Sequence, residues 1–273
     1  MGRLESGRAL DYALGLTVIR HRGLRTIGHG GSLPGFKTHF MRYPEQDLGI
    51  VILANREDAV PYALAREIGA IVLADAMQPA AAPIADGARL AGTYVDKRTG
   101  FTLDVTYDRG AFRANFLGGE ESLEPTPGGG LKQTGGHMGI ELAPPSPGSG
   151  QPERWSGTIG WGLDVEWTPV QPYRPSANDL VPYLGRYQSA ETGAVHQVAI
   201  REGQLAIRLG LGPRPEPWVI CTPVMPDVFR FALAHMQWTS KPALRFLRGA
   251  DGAIAALELS ANRSRHLLFE RLG

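Results

Sequence analysis

The chain has 273 residues, of which 43% are hydrophobic and 20% charged, enough for two or three domains with real cores, and this excludes a disordered chain. A net charge of +1 gives no electrostatic reason to expect nucleic acid or an anionic membrane as a partner. No apolar run approaches the ~18 to 20 residues of a membrane span. The opening Met-Gly-Arg-Leu-Glu-Ser-Gly-Arg lacks the apolar core of a secretory signal, so the cytoplasm is the expected compartment. With Cys221 the single cysteine, neither an internal disulfide nor a thiolate metal cluster can form within the chain.

The first segment reads as four strands and a helix. Residues 12–20 alternate and end in the turn His21-Arg22-Gly23; residues 24–28 follow, then a glycine-rich loop, then a strand over 36–43. Residues 48–54 are apolar on both faces, as a strand covered on both sides would be. After Asp58, a candidate N-cap, Val60, Leu64, Ile68, Ile71 and Val72 recur at steps of three and four and mark one face of a helix that ends near Ala76. Residues 78–87 are rich in proline and alanine without periodicity and read as a linker; residues 171–179 form a second break.

Between and after these breaks the chain consists of short alternating runs punctuated by Gly, Pro and Asp, the pattern of an all-β protein with little further helix. The two regions repeat each other at a constant offset of 93 positions: Gly92 and Tyr94 on Gly185 and Tyr187, Thr99-Gly100 on Thr192-Gly193, Gly110 on Gly203. Two copies are too few for a solenoid, so each is expected to close into its own small antiparallel barrel, which removes exposed edges. The expected fold class is therefore α+β, mostly β. Its expected divisions are residues 1–77, 88–170 and 180–273.

The candidate chemistry centres on Gly28-His29-Gly30-Gly31-Ser32, where glycines flank a histidine. On its own such a run reads most economically as a bulge or hairpin turn with His29 merely exposed. No Gly-x-Ser-x-Gly elbow, Ser-x-x-Lys or Tyr-x-Asn occurs in the sequence, and the two Ser-x-Asn triplets, at Ser176 and Ser260, fall in the second break and the final barrel. The seven histidines show no metal-ligand spacing, and no phosphate-binding loop is present, so neither a metal nor a cofactor is expected.

Taken in order, Tyr12-Ala-Leu-Gly-Leu16, the turn at Gly23, Gly28-His29-Gly30-Gly31, Leu33-Pro34-Gly35-Phe36, Pro44-Glu45 and Leu48-Gly-Ile-Val-Ile-Leu-Ala-Asn55 resemble the end of the catalytic domain of serine β-lactamase-like proteins. This superfamily includes penicillin-binding proteins, esterases and D-aminopeptidases. His29-Gly30-Gly31 is similar to the His-x-Gly that D-aminopeptidases and several esterases carry in place of Lys-Thr-Gly, and two barrels after the catalytic domain are similar to the D-aminopeptidase architecture. The resemblance implies a C-terminal part of a β-lactamase-like antiparallel sheet with one helix, followed by two β-barrel domains.

It further implies that His29 is a polar group of the active-site wall, that Gly30 and Gly31 leave room for substrate, and that the Ser32 backbone N–H, rather than its hydroxyl, is an oxyanion donor. A loop of the last barrel, Ala234 to Pro242, is the candidate to reach the cleft, through Gln237 and Trp238, although it holds no acidic residue to meet a substrate ammonium. The superfamily's Ser-x-x-Lys nucleophile lies upstream of this strand. The chain is accordingly expected to be a C-terminal portion of a D-aminopeptidase-like hydrolase acting on small peptides or amino-acid amides, inactive alone. It is expected to need the complementary half of the catalytic domain, or self-association, as partner. The alternatives are a noncatalytic ligand- or protein-binding barrel module, or part of a β-lactamase-like esterase.

Overall fold

A computed structural model describes the chain except residues 1, 2, 4, 6, 8, 81, 85, 127, 134–138, 144–154, 160–162, 211–215, 236, 237, 262 and 263. It is mostly β, with a five-stranded antiparallel sheet followed by two closed eight-stranded antiparallel barrels. The sheet runs β1 (Tyr12–Ala13), β2 (Leu16–His21), β3 (Leu24–Leu33), β4 (Phe36–Tyr43) and β5 (Leu48–Ala54) in sequential order, and α1 (Pro61–Val72) packs on one of its faces. Among the described residues no helix is long and apolar enough to cross a membrane.

Four local expectations are corrected. The segment 12–20 is two strands, because Leu14 and Gly15 both take positive φ and turn the chain between them. The glycine run is no loop: β3 continues through it to Leu33, since the ladder with β4 holds from Ile27↔Arg42 to Leu33↔Phe36 and makes up for the low strand propensity of glycine. β5 is covered on one face only, with Ile50 buried towards α1 while Val51 and Leu53 are 67% and 78% exposed. The helix begins at Pro61 with Val60 as an uncapped N-cap; Asp58 instead forms an ion pair with Arg56.

Of the apolar stripe of α1, Ile68 packs against the sheet core while the other members face outward, contrary to the usual meaning of such a stripe. Leu64 and Ile71 are 46% and 78% exposed, whereas Pro61, Ala65, Arg66 and Gly69 are buried. Small residues win the inner face because the helix lies close over the sheet: a Cβ on Gly69 would stand 2.3 Å from the Tyr43 hydroxyl oxygen. Tyr43, fully buried, holds that place through a 2.6 Å bond between its hydroxyl and His21 Nδ1.

The barrels span residues 92–170 and 185–272, and the 93-residue repeat is literal in three dimensions. Gly92 and Gly185 share φ +153°, the Tyr94 hydroxyl donates to Leu90 O as that of Tyr187 does to Tyr183 O, and Gly100 N donates to Asp96 O as Gly193 N does to Ser189 O. A continuous hydrophobic core fills each barrel. The barrels meet through Val95, Val224 and Val228, an Arg230–Asp104 ion pair at 2.6 Å, and Ala243, a second-barrel residue packed in the first barrel's core. Arg66 of α1 reaches Glu124 of the first barrel at 2.6 Å and so joins the sheet to the barrels.

Gly69→Ala gains about 1 kcal/mol in helix propensity but drives a methyl into Tyr43, and overpacking of that kind typically costs about 1–3 kcal/mol. Urea denaturation is expected to show net destabilisation, reduced when the same change is made in a Tyr43→Phe background.

Candidate functional site

β3 is longer than its neighbour. β2 pairs with it only from Thr17↔Gly28 to His21↔Leu24, so residues 29–33 have β4 on one side and, among the described residues, no strand on the other. Which backbone groups face that free edge follows from alternation. The Thr17 hydroxyl donates to Gly28 O at 2.8 Å, so the Gly28 carbonyl points towards β2. Period-two geometry then turns the N–H and C=O of Gly30 and Ser32 to the same edge, and those of His29, Gly31 and Leu33 towards β4.

The side chains alternate across the sheet in the same way. His29 pairs with Phe40 and through it with Val51, a row on the face opposite α1, while Gly28, Gly30 and Ser32 lie on the α1 side. Two of the glycines answer to β4 itself. A Cβ on Gly28 would lie 2.4 Å from Phe40 O, and one on Gly31 would lie 2.5 Å from Thr38 Oγ1.

The His29 ring is held at both nitrogens, with Nδ1 2.6 Å from Gly30 O and Nε2 3.2 Å from the Tyr12 hydroxyl. The Ser32 hydroxyl accepts a 2.8 Å bond from Lys37 Nζ, and Lys37 is in turn 2.7 Å from Glu57. Glu57 also accepts from Gly35 N at 2.8 Å, so a single carboxylate braces the β3–β4 turn. Sequence reading missed Tyr12, Lys37 and Glu57; nothing in their spacing marks them, because turn and sheet pairing bring them in.

The structure therefore gathers His29, Gly30, Gly31 and Ser32 on one strand. Trp238 lies elsewhere, on a two-stranded hairpin of Leu233–His235 with Trp238–Ser240 that falls in sequence between two strands of the second barrel. The base of that hairpin is tied to the first barrel, Lys241 N donating to Leu117 O at 2.9 Å, and among the described residues no backbone hydrogen bond links it to β3. Gln237 lies outside the described residues. Ser176, of the first Ser-x-Asn triplet, caps a short helical turn in a capping box with Asp179. No group of three or more metal-ligating side chains gathers among the described residues.

Electrostatics elsewhere are dominated by burial. His21 is pushed down to about 4 by burial, with Arg66 and Arg22 adding to the effect, and burial likewise takes His196 to about 4. Burial raises Glu121 to about 7 against the opposing bond from Gln133, and holds the Cys221 thiol at about 12, so that thiol is inert.

Residues 2–74 match the β-lactamase family. Along nearly its whole length the chain is similar to proteins named D-aminopeptidase from two strains of Cereibacter sphaeroides, at 26% identity over 277 residues and 25% over 283, covering 97% of this chain in each case. The chain spans about half the length of these relatives, 49% of each. Among solved structures, an octameric penicillin-binding protein homologue from Pyrococcus abyssi aligns with 95% of this chain and 36% of its own at 12% identity, but a TM-score of 0.27 is too low to bear on fold or assembly. The first segment is thus similar to the β-lactamase family, and the chain as a whole is similar to one half of proteins named D-aminopeptidase.

The buried groups set a pH dependence. The unfolded chain takes up protons on His21 and His196 from about pH 6.5 downward, whereas the folded chain does so only near 4. Stability therefore falls as pH drops through that window. Glu121 acts oppositely, since its raised value makes the folded chain bind the extra proton between 4.5 and about 7. The urea midpoint is expected to fall between pH 6.5 and 4.5, and to fall more steeply in Glu121→Gln; a midpoint that rises on acidification contradicts the assignment.

Proposed function

We propose that this chain supplies one wall of the substrate cleft of a D-aminopeptidase-like serine hydrolase, which cleaves the amide bond after an N-terminal D-amino acid. The observation that carries the reading is the Ser32 backbone N–H on the free edge of β3, next to a histidine fixed at both ring nitrogens. A backbone N–H in that position can donate to the oxyanion that forms as a serine attacks the substrate carbonyl, without reorganising during the reaction. The free edge can also pair with the substrate backbone in the manner of an added strand. His29 is the polar group of the wall, and Gly30 and Gly31 keep its surface low.

The Ser32 hydroxyl is not the nucleophile in this scheme. Its side chain lies on the α1 side of the sheet, away from His29, where it accepts from a Lys37 held against Glu57. The nucleophile comes instead from a complementary segment, in keeping with the absence of Ser-x-x-Lys from the 273 residues. The proposed partner is the other half of the catalytic domain, with self-association as the second way to cover the same surface. Phe40, Val51 and Leu53 are exposed on the His29 side of the sheet, and Leu64 and Ile71 on the outer side of α1. Apolar faces of this kind are the usual mark of an interface.

In this reading residues 1–77 belong to the catalytic domain, and 88–170 and 180–273 are the barrel domains. The segment Ala234 to Pro242, proposed to bound the cleft, holds no carboxylate, so the substrate amine is met by another group.

The test joins this chain to the coding sequence upstream of it and assays D-alanine p-nitroanilide. A Ser-x-x-Lys is expected in the added segment, Ser32→Pro is expected to lower kcat by about 100- to 1,000-fold through loss of the donor, and the 273-residue chain alone should show no turnover. Full turnover by Ser32→Pro removes the proposed role of that N–H.

A further inference from the structure

We infer that the interior of the first barrel binds a small neutral alcohol, whose hydroxyl donates to Asp96 Oδ2 and accepts from the indole N–H of Trp167. This site lies apart from β3 and is independent of the reading given to that strand.

The decisive difference between the two copies of the barrel lies at one facing pair. Asp96 stands opposite Trp167, and Trp167 opposite Trp155. In the second barrel Ser189 takes the place of Asp96: its N–H donates to Ala194 O and its carbonyl accepts from Gly193 N, just as those of Asp96 meet Phe101 O and Gly100 N. Phe269, opposite Leu257, takes the place of Trp167, since the ladder that pairs Gln188 with Glu270, carried on by one residue, sets Ser189 against Phe269. All four side chains are buried. They point inward, because Trp167 and Phe269 belong to the barrel cores and Asp96 and Ser189 lie two residues beyond the core tyrosines Tyr94 and Tyr187.

Each exchange adds one polar atom to the first barrel, and the fold uses neither. Both turns need a single side-chain oxygen: Asp96 Oδ1 accepts from Arg98 N at 3.0 Å, as Ser189 Oγ accepts from Thr192 N at 3.4 Å. The largely exposed Arg98 side chain approaches the same Oδ1, at 3.6 Å. Asp96 Oδ2 and Trp167 Nε1 are left buried, with no hydrogen-bond partner among the described residues. Gln133 and Glu121 also face inward, at the positions of Phe231 and Val219, but they are served by each other and by Ile140 N. A buried donor and acceptor left unmade are costly, so a pair that the sister barrel does without points to a bound group that completes it.

The chemistry of the pair selects that group. The indole N–H only donates and a carboxylate oxygen only accepts, so a hydroxyl serves both, whereas a cation leaves Trp167 unserved and an anion leaves Asp96 unserved. The surroundings select what carries the hydroxyl. A buried water typically makes about three hydrogen bonds, and two are on offer here, among apolar neighbours that include Phe101, Leu103 and Phe116. An alcohol places its alkyl group against those walls, while a polyol would bury further hydroxyls without partners. Both polar atoms are shut off from solvent, so ligand exchange follows local opening of the barrel.

The test titrates the full chain with 1-propanol, glycerol and methylammonium chloride, following the Trp167 indole signal in 1H–15N correlation spectra, with the Trp218 indole signal of the second barrel as control. 1-Propanol is expected to shift the Trp167 signal saturably and leave that of Trp218 in place. In Asp96→Ser, which copies the turn of Ser189 and so keeps the fold, the affinity should fall about ten-fold or more with the loss of one charge-assisted bond. Trp167→Phe, which copies Phe269, should lose saturation transfer to 1-propanol. Equal binding by wild type and Asp96→Ser overturns the inference. So does a saturable response to methylammonium or glycerol in place of 1-propanol, or a Trp167 signal that shows exchange with water only.

Discussion

The difference in length between β2 and β3 is the constraint on which the rest depends. β2 begins at Leu16 and pairs no further along β3 than Gly28, while β4 holds β3 in place for five residues more. A strand edge left open in this way is normally a hazard, because unpaired N–H and C=O groups recruit other strands. Here the edge is short, begins at a histidine, and has one of its carbonyls occupied by that histidine.

Rigidity behind that edge comes from the other side of the sheet. α1 lies close because Ala65 and Gly69 are small, and Tyr43 fills the contact with its hydroxyl bonded to a buried His21. Arg66 extends the arrangement to the first barrel through Glu124, and the barrels hold each other through Arg230–Asp104 and the valines around Val95. A largely buried arginine with a bidentate acceptor would be costly to leave unpaired, so the link also fixes how sheet and barrel meet. Opposite α1, the face with His29, Phe40, Val51 and Leu53 has no such backing in the described chain.

The barrels were legible in the sequence because their signals are local and duplicated: Gly-x-Tyr, Thr-Gly and a hairpin glycine recur at one offset, and each copy makes the same hydrogen bonds. The sheet was legible in order but not in cover. An apolar run such as Leu48 to Ala54 shows that a strand is apolar on both faces, but not whether anything is present to cover them. The stripe Val60, Leu64 and Ile71 misled for a related reason, since periodicity locates an apolar face without saying which neighbour it meets, and close approach to the sheet selected Ala65 and Gly69 for the inner side. His29 was found from its glycines, although Gly28 and Gly31 are required by β4 atoms at 2.4 and 2.5 Å. Lys37 and Glu57 were invisible, as was the contact of Tyr12 with His29, because pairing and turns that no local pattern encodes bring them to β3.

The account stands on the Ser32 amide facing an open edge, and amide hydrogen exchange on the full chain reads this directly. Ser32 and Gly30 are expected to exchange far faster than their neighbours His29 and Gly31, whose N–H groups are bonded within the β3–β4 ladder. Protection of Ser32 equal to that of Gly31 would mean that the edge is paired, and would remove the oxyanion donor on which the proposed wall depends.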